Sequence, residues 1–202
     1  GLGDVYKRQG VIDANDQCYL GKSWFPSWSY GMGFNINYHN FDLALFFQGV
    51  SDVSIMANGG SIDTGNGDWG ASGVGIVPFT GMGLNPSNVI TKALDRWTAD
   101  NPRADAWYPR MTANATTNDN NYVNSTHWLK DGSYLRLKQA SLGYTLENKK
   151  LMDKGIEYLY FYLPGQNLLT FSKFKLWDPE LGSNGAKYPL SRMVTLGMRV
   201  SF

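Results

Sequence analysis

Residues 29–50 read SYGMGFNINYHNFDLALFFQGV, and apolar side chains occupy every second position on both sides of the pair His39 and Asn40. These positions are Tyr30, Met32, Phe34, Ile36 and Tyr38 before the pair, and Phe41, Leu43, Leu45 and Phe47 after it. A period of two is typical of a β-strand with one apolar face. Two such runs separated by two residues predict a hairpin with a tight turn.

Three further runs of the chain have the same period. In residues 133–146 the apolar phase changes between Leu137 and Ala140, so a single strand there requires a one-residue slip near Lys138 and Gln139. Such a slip predicts a β-bulge. The other two runs carry these apolar side chains on one side: Leu159, Phe161 and Leu163, opposite Tyr158, Tyr160 and Tyr162, and then Val194, Leu196, Met198, Val200 and Phe202. Five strands are therefore expected.

The connections between these strands alternate between short and long. A two-residue turn is followed by residues 57–130, then by residues 147–155 and residues 172–189. The first long connection contains one predicted helix, residues 86–97, with Asn85 as N-cap and Pro86 as its first residue. Short turns at one end and long loops at the other are typical of an outer-membrane β-barrel. A β-sandwich has shorter and more even spacing, and a secreted carbohydrate-binding sandwich remains one alternative. A structural outer-membrane barrel without transport is the other.

The two sides of the predicted strands differ in polarity, as do the two sides of a barrel wall. Asp42, Gln48, Arg136 and Arg199 fall on the side opposite the leucines, where a barrel faces water. The aromatics at or near strand ends are Tyr30, Tyr38, Phe41, Tyr144 and Phe202. They fit an interfacial girdle, or alternatively the core of a sandwich.

Composition excludes several other classes of protein. The formal net charge is only +1 and the basic residues are scattered, which argues against nucleic acid as a partner. Cys18 is the only cysteine, and His39 and His127 have no zinc-site spacing. No run reaches the roughly 20 apolar residues of a membrane-spanning helix. No catalytic motif is present, so neither an enzyme nor a cofactor is expected.

Several stretches resemble the C-terminal end of the SusC/RagA family of TonB-linked outer-membrane transporters. They are GVIDANDQCYLGKSWFPSWSYGMGFNINYHNFDLALFFQG, DRWTADNPRADAWYPRM, DGSYLRLKQASLGYTL and GQNLLTFSKFKLWDPELGSNGAKYPLSRMVTLGMRVSF, in this order. Together they span residues 10–202, nearly the whole chain. The resemblance implies an all-β, antiparallel barrel segment that supplies about the last five strands of a 22-stranded barrel.

The same resemblance implies a function and partners. Members of the family import nutrients, typically oligosaccharides or peptides, with energy delivered through TonB and with a SusD-like surface lipoprotein as a lid. It also implies that the terminal aromatic, Phe202, is read by the barrel insertion machinery. Without the plug and the TonB-contacting region, a chain of this kind is not expected to transport by itself, or to close a barrel.

Residues 1–9, GLGDVYKRQ, resemble an adapter-derived leader and are excluded from the functional interpretation. The chain is therefore expected to be a C-terminal part of a longer transporter. Asp13, Asn15 and Asp16 fit the tail of a calcium loop, but an ordinary loop rich in Asp and Asn is the simpler interpretation, so no metal is assigned.

The loops contain two further groups of candidate residues. The tryptophans are Trp24, Trp28, Trp69, Trp97, Trp107, Trp128 and Trp177, and they either stack sugar rings or pack within their own loops. Phe25, Trp107 and Tyr108, which lie beside prolines, are predicted to anchor loop cores. Asp178 and Glu180 flank Pro179 and are predicted to lie in a solvated turn. No residue is assigned to substrate.

Overall fold

The computed structural model describes residues 17–57, 91–110, 125–183 and 188–202. They belong to two compact units. The sheet unit comprises Phe25–Val53, Asp131–Glu180 and Tyr188–Phe202, and the loop unit comprises the remaining described residues. No helix in the described ranges is long and apolar enough to span a membrane.

The described residues contain eight strands, which we number in chain order. They are β1 (Trp28–Tyr38), β2 (Phe41–Ser51), β3 (Ser54–Met56), β4 (Leu129–Asp131), β5 (Tyr134–Leu146), β6 (Tyr158–Ser172), β7 (Met193–Val194) and β8 (Gly197–Ser201). Six of them form one antiparallel sheet in the order β1-β2-β5-β6, with β7 and β8 both paired to β6. This confirms the predicted antiparallel all-β fold.

The first two strands form the predicted hairpin. Tyr38 pairs with Phe41, so the turn consists of His39 and Asn40. His39 has a φ of 52°, in the left-handed region that tight hairpin turns require. Because the alternation continues on both sides of this turn, the hairpin places the two apolar runs on one face.

The predicted bulge lies where β5 meets its neighbours. The pairing of β5 with β6 shifts between Leu137 and Gln139, which leaves Lys138 as the extra residue. On β6 the corresponding irregularity contains Asn167, whose φ is 53°. Its side-chain amide donates to the Ser191 carbonyl at 3.1 Å. Because the slip restores the phase, the apolar residues before and after it share one face.

The last two strands continue one register along β6. Gly165 pairs with Val194 in β7, and Tyr162 pairs with Gly197 in β8. Between them, the Thr195 amide donates to the Pro164 carbonyl at 2.9 Å. Residues 193–201 therefore behave as the single terminal strand that the alternation predicts, with an interruption at residues 195–196.

Short and long connections lie at opposite ends of the strands, as predicted. The turn end holds the His39 turn and the β5–β6 connection, which contains the α-helix α1 (Lys149–Met152) capped by Asn148. The loop end holds the β2–β5 and β6–β7 connections. The helix predicted at residues 86–97 lies partly outside the described residues. Within the described residues, only the 3-10 turn Thr91–Leu94 is helical. The prediction is wrong for residues 95–97, because Asp95 and Trp97 form backbone hydrogen bonds with Tyr108 instead.

The loop unit contains a small sheet that the sequence does not predict. Strands β3 and β4 pair with each other, and the Ala57 amide donates to the Trp128 carbonyl at 2.8 Å. Ile55, Tyr108 and Trp128 are almost completely buried around this pairing. The long connection is therefore folded in part around its own apolar core.

Candidate functional site

The six-stranded sheet has one apolar and one polar face. Residues paired directly across an antiparallel sheet point their side chains to the same side. The pairing aligns Ile36 with Leu43, Leu43 with Leu142, and Leu142 with Leu163, so these residues share one face, which we call the apolar face. Residues one position along belong to the opposite side, the polar face.

The apolar face is exposed although its side chains are large. Ile36 is 54% exposed, Leu163 43% and Met198 57%. Contiguous exposed apolar surface is uncommon on soluble monomers and marks contact with a protein or a membrane. Tyr38, Phe41 and Tyr144 lie at or near strand ends as predicted, and the rings of Phe41 and Tyr144 lie 4.6 Å apart.

The polar face carries the four predicted side chains. Gln48 pairs with Arg136 in β5, Asp42 pairs with Gly143, and Arg199 pairs with Tyr160. All of these positions alternate with the apolar ones, so the prediction that Asp42, Gln48, Arg136 and Arg199 lie opposite the leucines is confirmed.

Arg136 is the most buried charged residue of the polar face. Its side chain is 2% exposed, and its Nη2 lies 2.5 Å from Asp178 Oδ1 and its Nη1 3.5 Å from Glu180 Oε2. Lys138 Nζ lies 3.7 Å from Glu180 Oε1. The guanidinium also lies over the Tyr134 ring, 5.5 Å from its centroid. The prediction of a solvated turn is confirmed for Glu180, which is exposed, but it is wrong for Asp178, whose side chain is mostly buried because the turn folds back onto the polar face and pairs with Arg136.

A second polar group lies nearer the turn end of the same face. The Tyr160 hydroxyl donates to Asp42 Oδ2 at 3.0 Å. The Arg199 guanidinium lies 6.0 Å from the Tyr160 ring centroid, and the rings of Tyr160 and Tyr162 stack 5.7 Å apart. The face thus presents hydroxyl, carboxylate and cationic groups to whatever fills the space beside it.

Between these two groups the polar face has a shallow hollow with amide-bearing walls. Asn35, Gln139 and Gln166 contribute carboxamides, and Ser141 contributes a hydroxyl. The larger part of the lining is apolar and includes Phe46 and Pro164. Carboxamides donate and accept at once, so such a surface suits a ligand rich in alternating donors and acceptors.

The aromatic residues of the loop unit pack mainly against one another. Trp107 lies 4.5 Å from Tyr108 and 5.7 Å from Trp128 between ring centroids, and His127 lies 4.7 Å from Trp128. Lys130 Nζ lies 5.5 Å from the Trp107 centroid. The prediction that Trp107 and Tyr108 anchor a loop core is confirmed, and Trp128 joins them as a packing residue rather than a sugar platform.

The other predicted aromatic sites have different surroundings. Phe25 is 83% exposed, so its assignment to a loop core is wrong. Trp24 and Trp28 are also exposed, Trp97 and Trp177 are half-buried, and Trp69 lies outside the described residues. Phe202 follows β8 and is 91% exposed. Asp13, Asn15 and Asp16 lie outside the described residues, within which no cluster of metal-binding side chains occurs.

Three ionisable groups of the loop unit are perturbed by their surroundings. Ion pairs with Lys92, at 2.7 Å, and with Arg103 lower the pKa of Asp95. Burial, followed by the charge of Lys130, lowers the pKa of His127, and burial lowers that of Lys130. His127 and Lys130 thus carry their positive charge less readily than in water.

Comparison with known proteins identifies relatives of one functional class. The chain is 29% identical over 209 residues to TonB-dependent receptor P26 of Formosa agariphila, and 28% identical to TonB-dependent receptor P3 of the same organism. Each alignment covers 96% of this chain and 18% of the relative. No family model matches the chain.

Solved structures give the same result at the level of the fold. The RagAB peptide transporter matches with a TM-score of 0.62 at 25% identity, over 96% of this chain and 19% of the other. The closed-closed state of the RagAB peptide importer matches with a TM-score of 0.59, also at 25% identity, over 96% of this chain and 20% of the other. The chain is homologous to TonB-dependent receptors, and it spans about a fifth of their length.

Proposed function

We propose that this chain forms part of the barrel wall of an outer-membrane, TonB-dependent nutrient importer. The observation that carries the proposal is the separation of the sheet into an exposed apolar face and a polar face. In a membrane barrel the outer face contacts hydrocarbon and the inner face lines an aqueous or plugged lumen. The apolar face is then the lipid contact, and the polar face lines the lumen.

The connections support an orientation for this wall. Outer-membrane barrels have short periplasmic turns and long external loops. The His39 turn and the α1 connection then lie on the periplasmic side, and the β2–β5 and β6–β7 connections begin and end on the external side. Phe202 follows β8 at the turn end of the sheet, and we propose that the barrel insertion machinery recognises it there.

The cargo and partners are proposed from the relatives and from the chemistry of the polar face. One structural relative is the RagAB peptide importer, and the carboxamides of Asn35, Gln139 and Gln166 suit either a peptide backbone or sugar hydroxyls. We therefore propose oligosaccharides or peptides as cargo. A SusD-like lipoprotein is the proposed lid over the external loops, and TonB would act through a part of the transporter outside residues 10–202.

The proposal is tested by locating each face in the intact transporter. Single cysteines replace Met198 or Arg199 in the full-length protein, with Cys18→Ser removing the native thiol of this chain. In outer-membrane vesicles, Met198→Cys is expected to react with a lipid-soluble maleimide and not with a charged one. Arg199→Cys is expected to react with the charged reagent. Equal reaction of both positions with the charged reagent would exclude a lipid-facing wall.

The alternative class, a secreted carbohydrate-binding β-sandwich, makes the opposite prediction. A sandwich buries the apolar face of each sheet against a second sheet. Ile36 and Met198 are instead more than half exposed, which favours the barrel wall. A sandwich would also be monomeric without detergent, whereas the proposed wall segment requires detergent or lipid to remain dispersed.

A further inference from the structure

We propose that Arg136 holds an external loop against the inner face of the barrel wall, and that this loop helps to select cargo at the mouth of the lumen. The inference rests on the proposed function, since only a barrel wall gives the polar face a lumen. We define the strap as residues 174–180, which follow β6 and include the first two residues of the 3-10 turn Pro179–Leu181.

Arg136 is a buried charge on the polar face. A guanidinium remains protonated at any physiological pH, so Arg136 keeps its charge with a side chain that is 2% exposed. A buried charge is tolerated when it is paired, and removing one partner from such a pair is costly. Asp178 is that partner, at 2.5 Å and 42 residues further along the chain. The folded sheet therefore favours a strap that is closed on Arg136.

The cluster around Arg136 is balanced in charge. Arg136 and Lys138 supply two positive charges, and Asp178 and Glu180 supply two negative ones. The planar fork of an arginine can bind two carboxylates at once, whereas a lysine is a point charge. The strap contributes both carboxylates and β5 contributes both cations. These ion pairs therefore join two separate segments of the chain, and we call the four residues the latch.

The strap also has fixed local structure of its own. Asp178 Oδ1 also accepts the Glu180 amide at 3.0 Å, which fixes the turn that carries both carboxylates. Pro179, between them, is buried and has a restricted φ. At the start of the strap, Phe174 is 6% exposed, packs 4.6 Å from Trp177 between ring centroids, and donates its amide to Ser172 Oγ. The strap is thus held at both ends.

The position of the latch connects it to cargo. Arg136 and Gln139 are successive polar-face positions of β5, separated by Leu137 and the bulge residue Lys138. Gln139 lines the amide-walled hollow, so the strap ends beside that hollow and on its loop side. In the proposed orientation, cargo entering from outside meets the strap before it reaches the carboxamides. The strap is therefore placed to limit the size of what enters, and Arg136 acts as a positioning residue.

The experiment compares latch variants of the full-length receptor purified from outer membranes. Arg136→Gln removes the charge, and Asp178→Asn weakens the pair while leaving Glu180 and Lys138 in place. Hydrogen exchange of the strap amides is expected to become faster by about 10- to 100-fold in both variants. Arg199→Gln is the matched control, since it removes an exposed arginine from the same face, and it should leave strap exchange unchanged.

Transport is then measured in cells with a graded series of fluorescent peptides and a graded series of fluorescent oligosaccharides. In the latch variants, uptake of long chains relative to short ones is expected to rise several-fold. A heat-modifiable gel shift verifies that each variant is folded in the membrane. If Arg136→Gln does not fold, Asp178→Asn alone decides the result.

The possible failures are distinguishable. Unchanged strap exchange in a folded latch variant would exclude the latch. Faster exchange with an unchanged uptake ratio would leave a latch that has no part in selection, and would overturn the inference. Absence of uptake of both series by the wild-type receptor would count against the proposed function and against cargo selection together, whereas the exchange result would still decide the latch.

Discussion

At the scale of single residues, Gly49 illustrates how closely the strands approach one another. A Cβ at this position would lie 2.6 Å from the Tyr134 carbonyl oxygen and 2.6 Å from Cε2 of Tyr30, whose ring covers the glycine. A carbonyl oxygen within a sheet cannot move aside without breaking the ladder. The Tyr30 ring therefore occupies space that only a glycine leaves free.

Gly49→Ala is predicted to destabilise the full-length receptor by about 1–3 kcal/mol, the usual cost of overpacking a filled site. Gly33→Ala is the matched control, because a Cβ there would have its nearest neighbour at 3.7 Å, an ordinary contact distance. Alanine suits a strand at least as well as glycine, so this change should be neutral or slightly stabilising. Urea unfolding in lipid vesicles measures both, and similar midpoints would contradict the packing explanation.

The role of Arg136 shows where sequence patterns stop being informative. The alternation assigns Arg136 to the correct face, because the assignment depends only on neighbouring residues of the same strand. Its partner Asp178 lies 42 residues away in a connection without periodicity, so the pairing depends on how the connection folds. The one available signal is the charge balance between Arg136 and Lys138 on the strand and Asp178 and Glu180 in the turn. The prediction that Phe25 anchors a loop core is wrong for a different reason, because a neighbouring proline does not determine whether a side chain is buried.

At the scale of elements, the alternation predicts long strands well and short ones poorly. Strand β5 has 13 residues, so apolar residues alternate on both sides of Lys138. The change of phase between these two parts of the strand reveals the slip at Lys138. Strands β3 and β4 have three residues each and contain hardly one period. The helix predicted before Trp97 fails because Tyr108 pairs with that segment, and tertiary pairing overrides local propensity.

The loop unit should weaken in mild acid because of His127. Its pKa is lowered in the folded state from an ordinary value of 6.5, mainly by burial and further by Lys130. The unfolded segment then binds a proton more readily, so the contribution of His127 to stability is full above pH 6.5 and is lost as the pH drops below that value. Asp95 has a lowered pKa as well, and its contribution is lost only below its ordinary value of 3.8.

Hydrogen exchange of residues 125–130 is therefore predicted to be faster at about pH 5 than at about pH 8 in the full-length receptor. The rates are first corrected for the intrinsic effect of pH on exchange. His127→Gln removes the titrating group but keeps a polar side chain, and should abolish the acceleration. The strands of the sheet unit serve as an internal control in the same sample. An identical pH response in His127→Gln would exclude this histidine as the cause.

At the scale of the whole molecule, the two faces of the sheet carry most of the functional information. The apolar face continues from Ile36 to Val200 across every pairing of the sheet, including both sides of the bulge. The sequence predicts this surface because period, phase and slip are all local properties. The cargo is not predicted in the same way, since it depends on external connections whose side chains meet only after folding.

The last strand tests the assignment of the two faces most directly, because substitutions of adjacent residues on it should have very different effects on stability. Met198 pairs with Phe161 on the apolar face, and Arg199 pairs with Tyr160 on the polar face. Replacing Met198 by arginine places a charge in hydrocarbon, and near the bilayer midplane this is expected to cost about 2–4 kcal/mol in the full-length protein. Arg199→Ala removes a charge from the watery side and should cost far less. Denaturant unfolding in lipid vesicles measures both changes, and equal costs would overturn the assignment of faces on which the proposed barrel wall depends.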